Sequence, residues 1–146
     1  MILDEIAAAT RLRVEQLQRI KDLNKIRSDA ESLPKNNRGF RTSLSRDGMN
    51  FITEVKKASP SKGIISKEFD YLRLARDYEA AGAAAISCLT EPQFFLGKDE
   101  YLQAISTAVK LPVLRKDFII SEYQIYEAKT IGADAALLIC ALLETS

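Results

Sequence analysis

Over residues 2–27 the apolar positions recur at helical spacing. Ile2, Ile6, Ala9, Val14, Leu17, Ile20 and Leu23 fall roughly on one side, while Arg11, Arg13, Glu15, Lys21 and Asp22 fall largely elsewhere. This pattern predicts one amphipathic helix over Ile2–Arg27. The period is lost from Ser28 to Asn37, where Pro34 and the Asn36-Asn37 pair predict a connector. Phe40 and Leu44 predict one further short helix within Gly39–Arg46.

From Phe51 onward the pattern switches to short apolar runs alternating with helical segments. The runs Phe51–Val55, Ala84–Leu89, Pro112–Arg115 and Ala135–Ile139 read as strands, and Pro112 is tolerated as a first strand residue. A polar loop rich in Ser, Lys and Gly follows the first strand to about Phe69. Helices are predicted from Tyr71 to Gly82, from Asp99 to Val109 and from Ser121 to Ile131, with Ser121 as an N-cap. Leu142–Ser146 reads as the start of one more helix. Strands alternating with helices imply a parallel sheet with right-handed crossovers. The joints Gly82–Ile86 and Gly132–Ala136 resemble each other two strand–helix units apart, as in a barrel of similar quarters, although an open sheet can carry the same joint. The chain divides at residue 48, with a helical extension over 1–48 and the strand–helix part over 49–146.

Composition narrows the functional classes. An apolar fraction of 47% with 28% charged residues describes an ordinary soluble globular chain. A net charge of +1 gives no electrostatic reason to expect nucleic acid or an anionic membrane as a partner. No apolar run approaches the ~20 residues of a membrane span. The early Asp4 and Glu5 do not fit a secretory leader, so the chain reads as cytoplasmic. Cys88 and Cys140 are far apart and lie in apolar runs, a pattern that fits neither a disulfide framework nor a zinc site. The absence of histidine removes the commonest general base and most transition-metal sites. Acid–base chemistry would have to come from Lys, Glu, Asp, Tyr or water, with no metal and no cofactor.

Candidate chemistry gathers at the carboxyl ends of the predicted strands. Alternation puts Ile52, Glu54 and Lys56 on one face of the first strand. Opposite charges on such a face are costly unless they pair or function. A structural ion pair is one reading. The other is an active site at the carboxyl end of a parallel strand, where open α/β sheets and barrels hold their chemistry. Lys116 stands to the third strand as Lys56 stands to the first, on a face shared with Leu114 and Phe118. Two like charges in one mouth disfavour the protonated state of each, which suits a general acid or an amine nucleophile. Anion binding is an alternative use. Leu89 and Glu91 alternate onto one face, which brings a second carboxylate near the rim. Phe94 and Phe95 follow in the next loop, lining an aromatic pocket or packing the loop itself. Leu137 and Ile139 would supply apolar wall. Ser59-Pro60-Ser61-Lys62-Gly63 carries hydroxyls and backbone donors suited to an anion, without the P-loop spacing.

Four stretches together resemble a known family. They are EVKKASPSKG at Glu54–Gly63, LTEPQFFLG at Leu89–Gly97, LRKDFI at Leu114–Ile119 and GADAALLI at Gly132–Ile139. Their order and spacing, after a helical extension, resemble indole-3-glycerol phosphate synthase of tryptophan biosynthesis. The resemblance implies a (β/α)₈ TIM barrel, of which this chain carries the N-terminal half. It implies ring closure of the sugar phosphate 1-(2-carboxyphenylamino)-1-deoxyribulose 5-phosphate with loss of CO₂ and water. By motif, Lys116 corresponds to the general acid that protonates the substrate carbonyl. Lys56 corresponds to the lysine that holds the anthranilate carboxylate, and Glu54 to the acid that pairs with these lysines. Ser59 falls in the substrate-binding loop. Phe95, Phe118, Leu137 and Ile139 correspond to the apolar pocket, and Glu91 lies within the family motif.

The family barrel needs about 250 residues, so its fifth-strand glutamate, later polar residues and phosphate site have no counterpart here. The expectation is that this chain alone is a fragment with little activity. Open edges and an uncovered inner face of Ile52, Leu89, Leu114 and Leu137 imply self-association as a homo-oligomer, or pairing with a complementary C-terminal half-barrel. Otherwise the N-terminal helix would plug that face. Two other functions stay open, a non-catalytic self-associating half-barrel and a lysine-dependent, aldolase-like enzyme.

Overall fold

In a computed structural model, residues 2–34 and 38–143 are described. Helix α1 spans Ile2–Ile20, α2 spans Leu23–Ser32 and α3 spans Phe40–Leu44. The strand–helix part follows as β1 (Ile52–Val55), β2 (Ala58–Ser59), β3 (Gly63–Ile64), α4 (Tyr71–Ala80), β4 (Ala85–Leu89), α5 (Asp99–Ala108), β5 (Val113–Lys116), α6 (Glu122–Thr130) and β6 (Ala135–Ala136). A 3₁₀ turn covers Cys140–Leu142.

The main sheet has the order β1-β4-β5-β6, and every pairing is parallel. This α/β sheet, with successive strands as neighbours, agrees with half of a barrel. Val55, Ile86, Cys88 and Val113 point outward and form one core with Ala75 of α4 and Leu102, Ile105 and Val109 next to or within α5. The opposite face carries Ile52, Glu54, Ser87, Leu89, Leu114 and Lys116. Ile52 is 44% exposed, whereas Leu89 is 3% exposed. Leu89 therefore departs from the expected uncovered face. It lies on a central strand with a neighbour on either side, in register with Lys116.

The single helix expected over Ile2–Arg27 is broken at Lys21-Asp22. The Asp22 carboxylate accepts from the Lys25 amide at 2.8 Å and caps α2. The apolar period runs through the break because Val14 of α1 and Ile26 of α2 pack on the same Tyr123 of α6. Nor does α1 plug the inner face. It lies over the loops at the carboxyl ends of the strands, where Ala8–Gln16 run beside Glu91–Gln93.

Within the expected polar loop, β2 and β3 form a small antiparallel hairpin, tied back by the Ile65 amide donating to the Lys57 carbonyl at 2.8 Å. The fourth strand pairs only over Ala135–Ala136, although the Leu137 amide still donates to the Arg115 carbonyl at 3.1 Å. Strand β6 has a partner on one side only among the described residues, so fewer ladder bonds extend it. The predicted connector residues Asn36 and Asn37, and the end of the predicted last helix at 144–146, lie outside the described residues.

At the opposite end, Arg38 anchors the extension to the barrel part. Its side chain donates to Asp134, to the Ser106 hydroxyl and to the carbonyls of Ser106, Val109 and Gly132. Asp134 also accepts from the Val113 amide at 2.8 Å, which ties the start of β5 to the start of β6.

Candidate active site

The parallel register sets Glu54 beside Ser87, and Leu89 beside Lys116. Side chains of β1, β4 and β5 therefore converge at one rim. The Glu54 carboxylate receives three hydrogen bonds there. Lys56 Nζ donates to Oε1 at 2.9 Å, Lys116 Nζ to Oε2 at 2.9 Å, and Ser87 Oγ to Oε2 at 3.1 Å. All three charged side chains are partly exposed. Burial acts to raise the Glu54 carboxyl, but the hydrogen bonds and charges of Lys56 and Lys116 outweigh it. They hold the group below the usual carboxylate range. The Glu54 carboxylate is thus bracketed by two lysine side chains. Each ammonium has three N–H donors and spends one on Glu54, leaving donors for an anionic or carbonyl oxygen.

Beside the trio lies a cleft of about 500 Å³. Lys56, Ser59, Phe95 and Phe118 line it, with Ile2, Leu3 and Ile6 of α1 closing one side. Phe95 and Phe118 come from loops after different strands, and their rings meet with centroids 5.9 Å apart, tilted by 37°. This arrangement offers apolar surface to a flat group next to positive charge. Of two larger openings, one reaches Glu54 and Lys56 from the side of α4 and the other lies at Arg38 and Asp134, and neither is lined by Phe95 or Phe118.

The loop that presents Phe95 is held from within. Glu91 is 2% exposed, and its carboxylate accepts from the amides of Gln93, Phe94 and Phe95 at 3.0, 2.7 and 3.0 Å. The Gly97 amide then donates to the Glu91 carbonyl at 2.8 Å. A Cβ at Gly97 would stand 2.4 Å from the Leu89 carbonyl oxygen, so glycine is required by this close approach. Glu91 thus shapes the loop, with both oxygens engaged on backbone.

Of the residues singled out from the sequence, Glu54, Lys56 and Lys116 come together directly. Ser59, Phe95 and Phe118 line the adjoining cleft. Leu137 and Ile139 are half-buried and lie outside the cleft lining. The sequence reading missed Ser87, the α1 wall and a buried network around Arg115. Arg115 is 1% exposed. It donates to Thr90, to Asp99, to Glu127 and to the Gln124 carbonyl at distances of 2.7–3.1 Å. The signal was alternation itself: if Lys116 faces the mouth, Arg115 faces the helices and must find anions there. Among the described residues no group of three or more His, Cys, Asp or Glu side chains is arranged to hold a metal ion. No described helix is long and apolar enough to cross a membrane.

The known proteins similar to this chain share one description. A family model for indole-3-glycerol phosphate synthase matches residues 3–146. An indole-3-glycerol phosphate synthase of Ruminiclostridium cellulolyticum is 56% identical over 146 residues, covering 99% of this chain and 56% of the relative. That of Endomicrobium trichonymphae is 58% identical over 144 residues, covering 98% and 56%. That of Lacticaseibacillus paracasei is 49% identical over 144 residues, covering 98% and 55%. The chain spans about half the length of the curated relatives it matches.

Proposed function

The chain belongs to the indole-3-glycerol phosphate synthase family, and we propose that it supplies the N-terminal half of that enzyme's active site. The observation that carries this reading is Glu54 bridging Lys56 and Lys116 beside an aromatic cleft. The substrate in this proposal is 1-(2-carboxyphenylamino)-1-deoxyribulose 5-phosphate. Its aryl ring packs against Phe95 and Phe118, and its carboxylate meets the Lys56 ammonium. Lys116 donates a proton to the sugar carbonyl as the ring carbon bearing the carboxylate attacks it. The new C–C bond closes the five-membered ring, CO₂ leaves with its electron pair returned to the ring, and loss of water completes the indole. Glu54 holds both ammonium groups in place and accepts a proton as they turn over. Ser59, Glu91, Leu137 and Ile139 are proposed as further substrate-binding positions. Ser59 borders the cleft, and Glu91 acts through the loop that displays Phe95. The cytoplasm is the proposed location, in keeping with a soluble biosynthetic reaction on a sugar phosphate.

The exposed Ile52 and Phe51 at one sheet edge, with Leu138 and Leu143 at the other, support a partner for this face. The proposed partner is a complementary half-barrel carrying strands five to eight, or failing that a second copy of this chain. Synthase turnover followed by indole fluorescence tests the function, with size and mass of the same sample measured alongside. Turnover only after adding a chain with strands five to eight supports the split arrangement. No turnover in either sample, with Lys116 intact, refutes it. A stable adduct on borohydride treatment would instead indicate Schiff-base chemistry.

A further inference from the structure

Asp117 follows Lys116 and precedes Phe118, yet its own side chain is fully withdrawn from solvent. Four donors converge on it. Arg13 Nη2 of α1 and the Phe118 amide both donate to Oδ1 at 2.8 Å. The Thr90 hydroxyl donates to Oδ2 at 2.7 Å, and Arg115 approaches the same oxygen at 3.5 Å. Thr90 grips the turn twice, because its amide also donates to the Lys116 carbonyl at 3.1 Å. The backbone on either side of the Lys116 side chain is thereby clamped.

Arg13 is the one member that comes from the N-terminal helices, 104 residues away in sequence. The apolar contacts of α1, through Ile6 and Val14, tolerate sliding and rotation of the helix. A charge-assisted bond to a buried carboxylate does not, because its geometry is directional and the carboxylate is withdrawn from solvent. About two to three turns before Arg13, the same helix presents Ile2, Leu3 and Ile6 to the cleft. We propose that the Arg13–Asp117 ion pair is a positioning device that locks the seating of α1 to the turn carrying Lys116 and Phe118. Neither residue touches the reacting atoms. The pair acts through the turn and through the helix wall, and the inference rests on Lys116 and Phe118 belonging to the proposed site.

The lock has a readout that needs no ligand. The Phe118 amide is held by Asp117, whereas the Phe95 amide is held by Glu91, whose carboxylate is engaged by amides of its own loop. Amide exchange is followed by NMR in the full chain and in R13Q, R13K and I26A. Ile26 packs on α6 away from Asp117, so I26A reports general loosening of the extension. In R13Q the Phe118 amide is expected to exchange about tenfold faster relative to the Phe95 amide, with most of the effect restored in R13K. I26A is expected to leave that ratio unchanged. In parallel, binding of the substrate with its carbonyl reduced to an alcohol is followed by aryl fluorescence. R13Q is expected to weaken it about tenfold, and R13K to recover to within about threefold. An unchanged exchange ratio in R13Q overturns the proposal, as does an equal change in I26A. If the parent chain fails to bind the analogue, the functional reading of the cleft fails, and the lock is decided on the exchange ratio alone.

Discussion

Replacing Arg115 by Met is the sharpest stability test of the network behind the site. The guanidinium sits among Asp99, Asp117 and Glu127, with Arg13 the remaining cation on Asp117. Three carboxylates facing two arginines leave the cluster one negative charge in excess. Removing Arg115 leaves three carboxylates facing one arginine, and the excess becomes two. A buried pair broken from one side costs about 3–5 kcal/mol, a large share of the ~5–15 kcal/mol that holds a domain folded.

The pH dependence gives the test its sign. In the parent, burial pushes the Asp99 carboxyl up to about 6, opposed by Arg115 and assisted by Glu127 and Asp117. A carboxyl raised in the folded state binds more protons folded than unfolded between its ordinary pKa and the raised one. Stability therefore rises as pH falls from about 6 towards about 4. Without Arg115 this proton uptake strengthens, so the deficit of R115M shrinks on acidification. Urea unfolding followed by circular dichroism at pH 7.5 and pH 5 measures both effects. A deficit below about 1 kcal/mol at pH 7.5 would refute the charge argument, given the cost of an unpaired buried charge. So would a deficit equal at the two pH values.

Three further tests address other parts of the molecule. Gly97→Ala is expected to cost about 1–3 kcal/mol, because its Cβ would press on the backbone at the end of β4. Urea midpoints check this, and unchanged stability would mean that the loop bearing Phe95 yields freely. Glu54 contributes stability that is present above its unfolded pKa and lost as pH falls through its lowered folded value. The E54Q variant is therefore expected to lack that loss on the acid limb, measured by urea titration from neutral pH down to strong acid. Arg38→Gln is expected to cost about 2–3 kcal/mol by leaving Asp134 and three carbonyls short of donors. Thermal and urea unfolding test it, and a loss under about 0.5 kcal/mol would place that anchor among ordinary surface contacts.

The strand–helix alternation was legible because each period is local. Short apolar runs, helical spacing and helix-ending glycines lie within a few residues of one another. Glu54, Lys56 and Lys116 were legible for the same reason, since alternation along a strand assigns them to a face without any knowledge of the neighbours. The break at Asp22 was not, because Val14 and Ile26 keep one apolar period while packing on a helix about a hundred residues later. The hairpin of Ala58–Ile64 was hidden by its polar composition, and among the described residues its two short strands pair only with each other.

What the sequence determined by itself is the alternation of the four main strands with the helices between them, the parallel character of the sheet and the identity of the charged residues at its rim. Those follow from backbone periodicity and chain connectivity, which act over short distances. Tertiary structure alone decided that one carboxylate bridges both lysines, that α1 rather than a loop closes a side of the cleft, and that Arg115 and Asp117 brace the turn between them. Each of these needs a partner far away in sequence: Lys116 for Glu54, the start of α1 for Phe118, and Arg13 and Thr90 for Asp117. For Arg115 and Asp117, burial removes water as the alternative partner and makes the pairing specific.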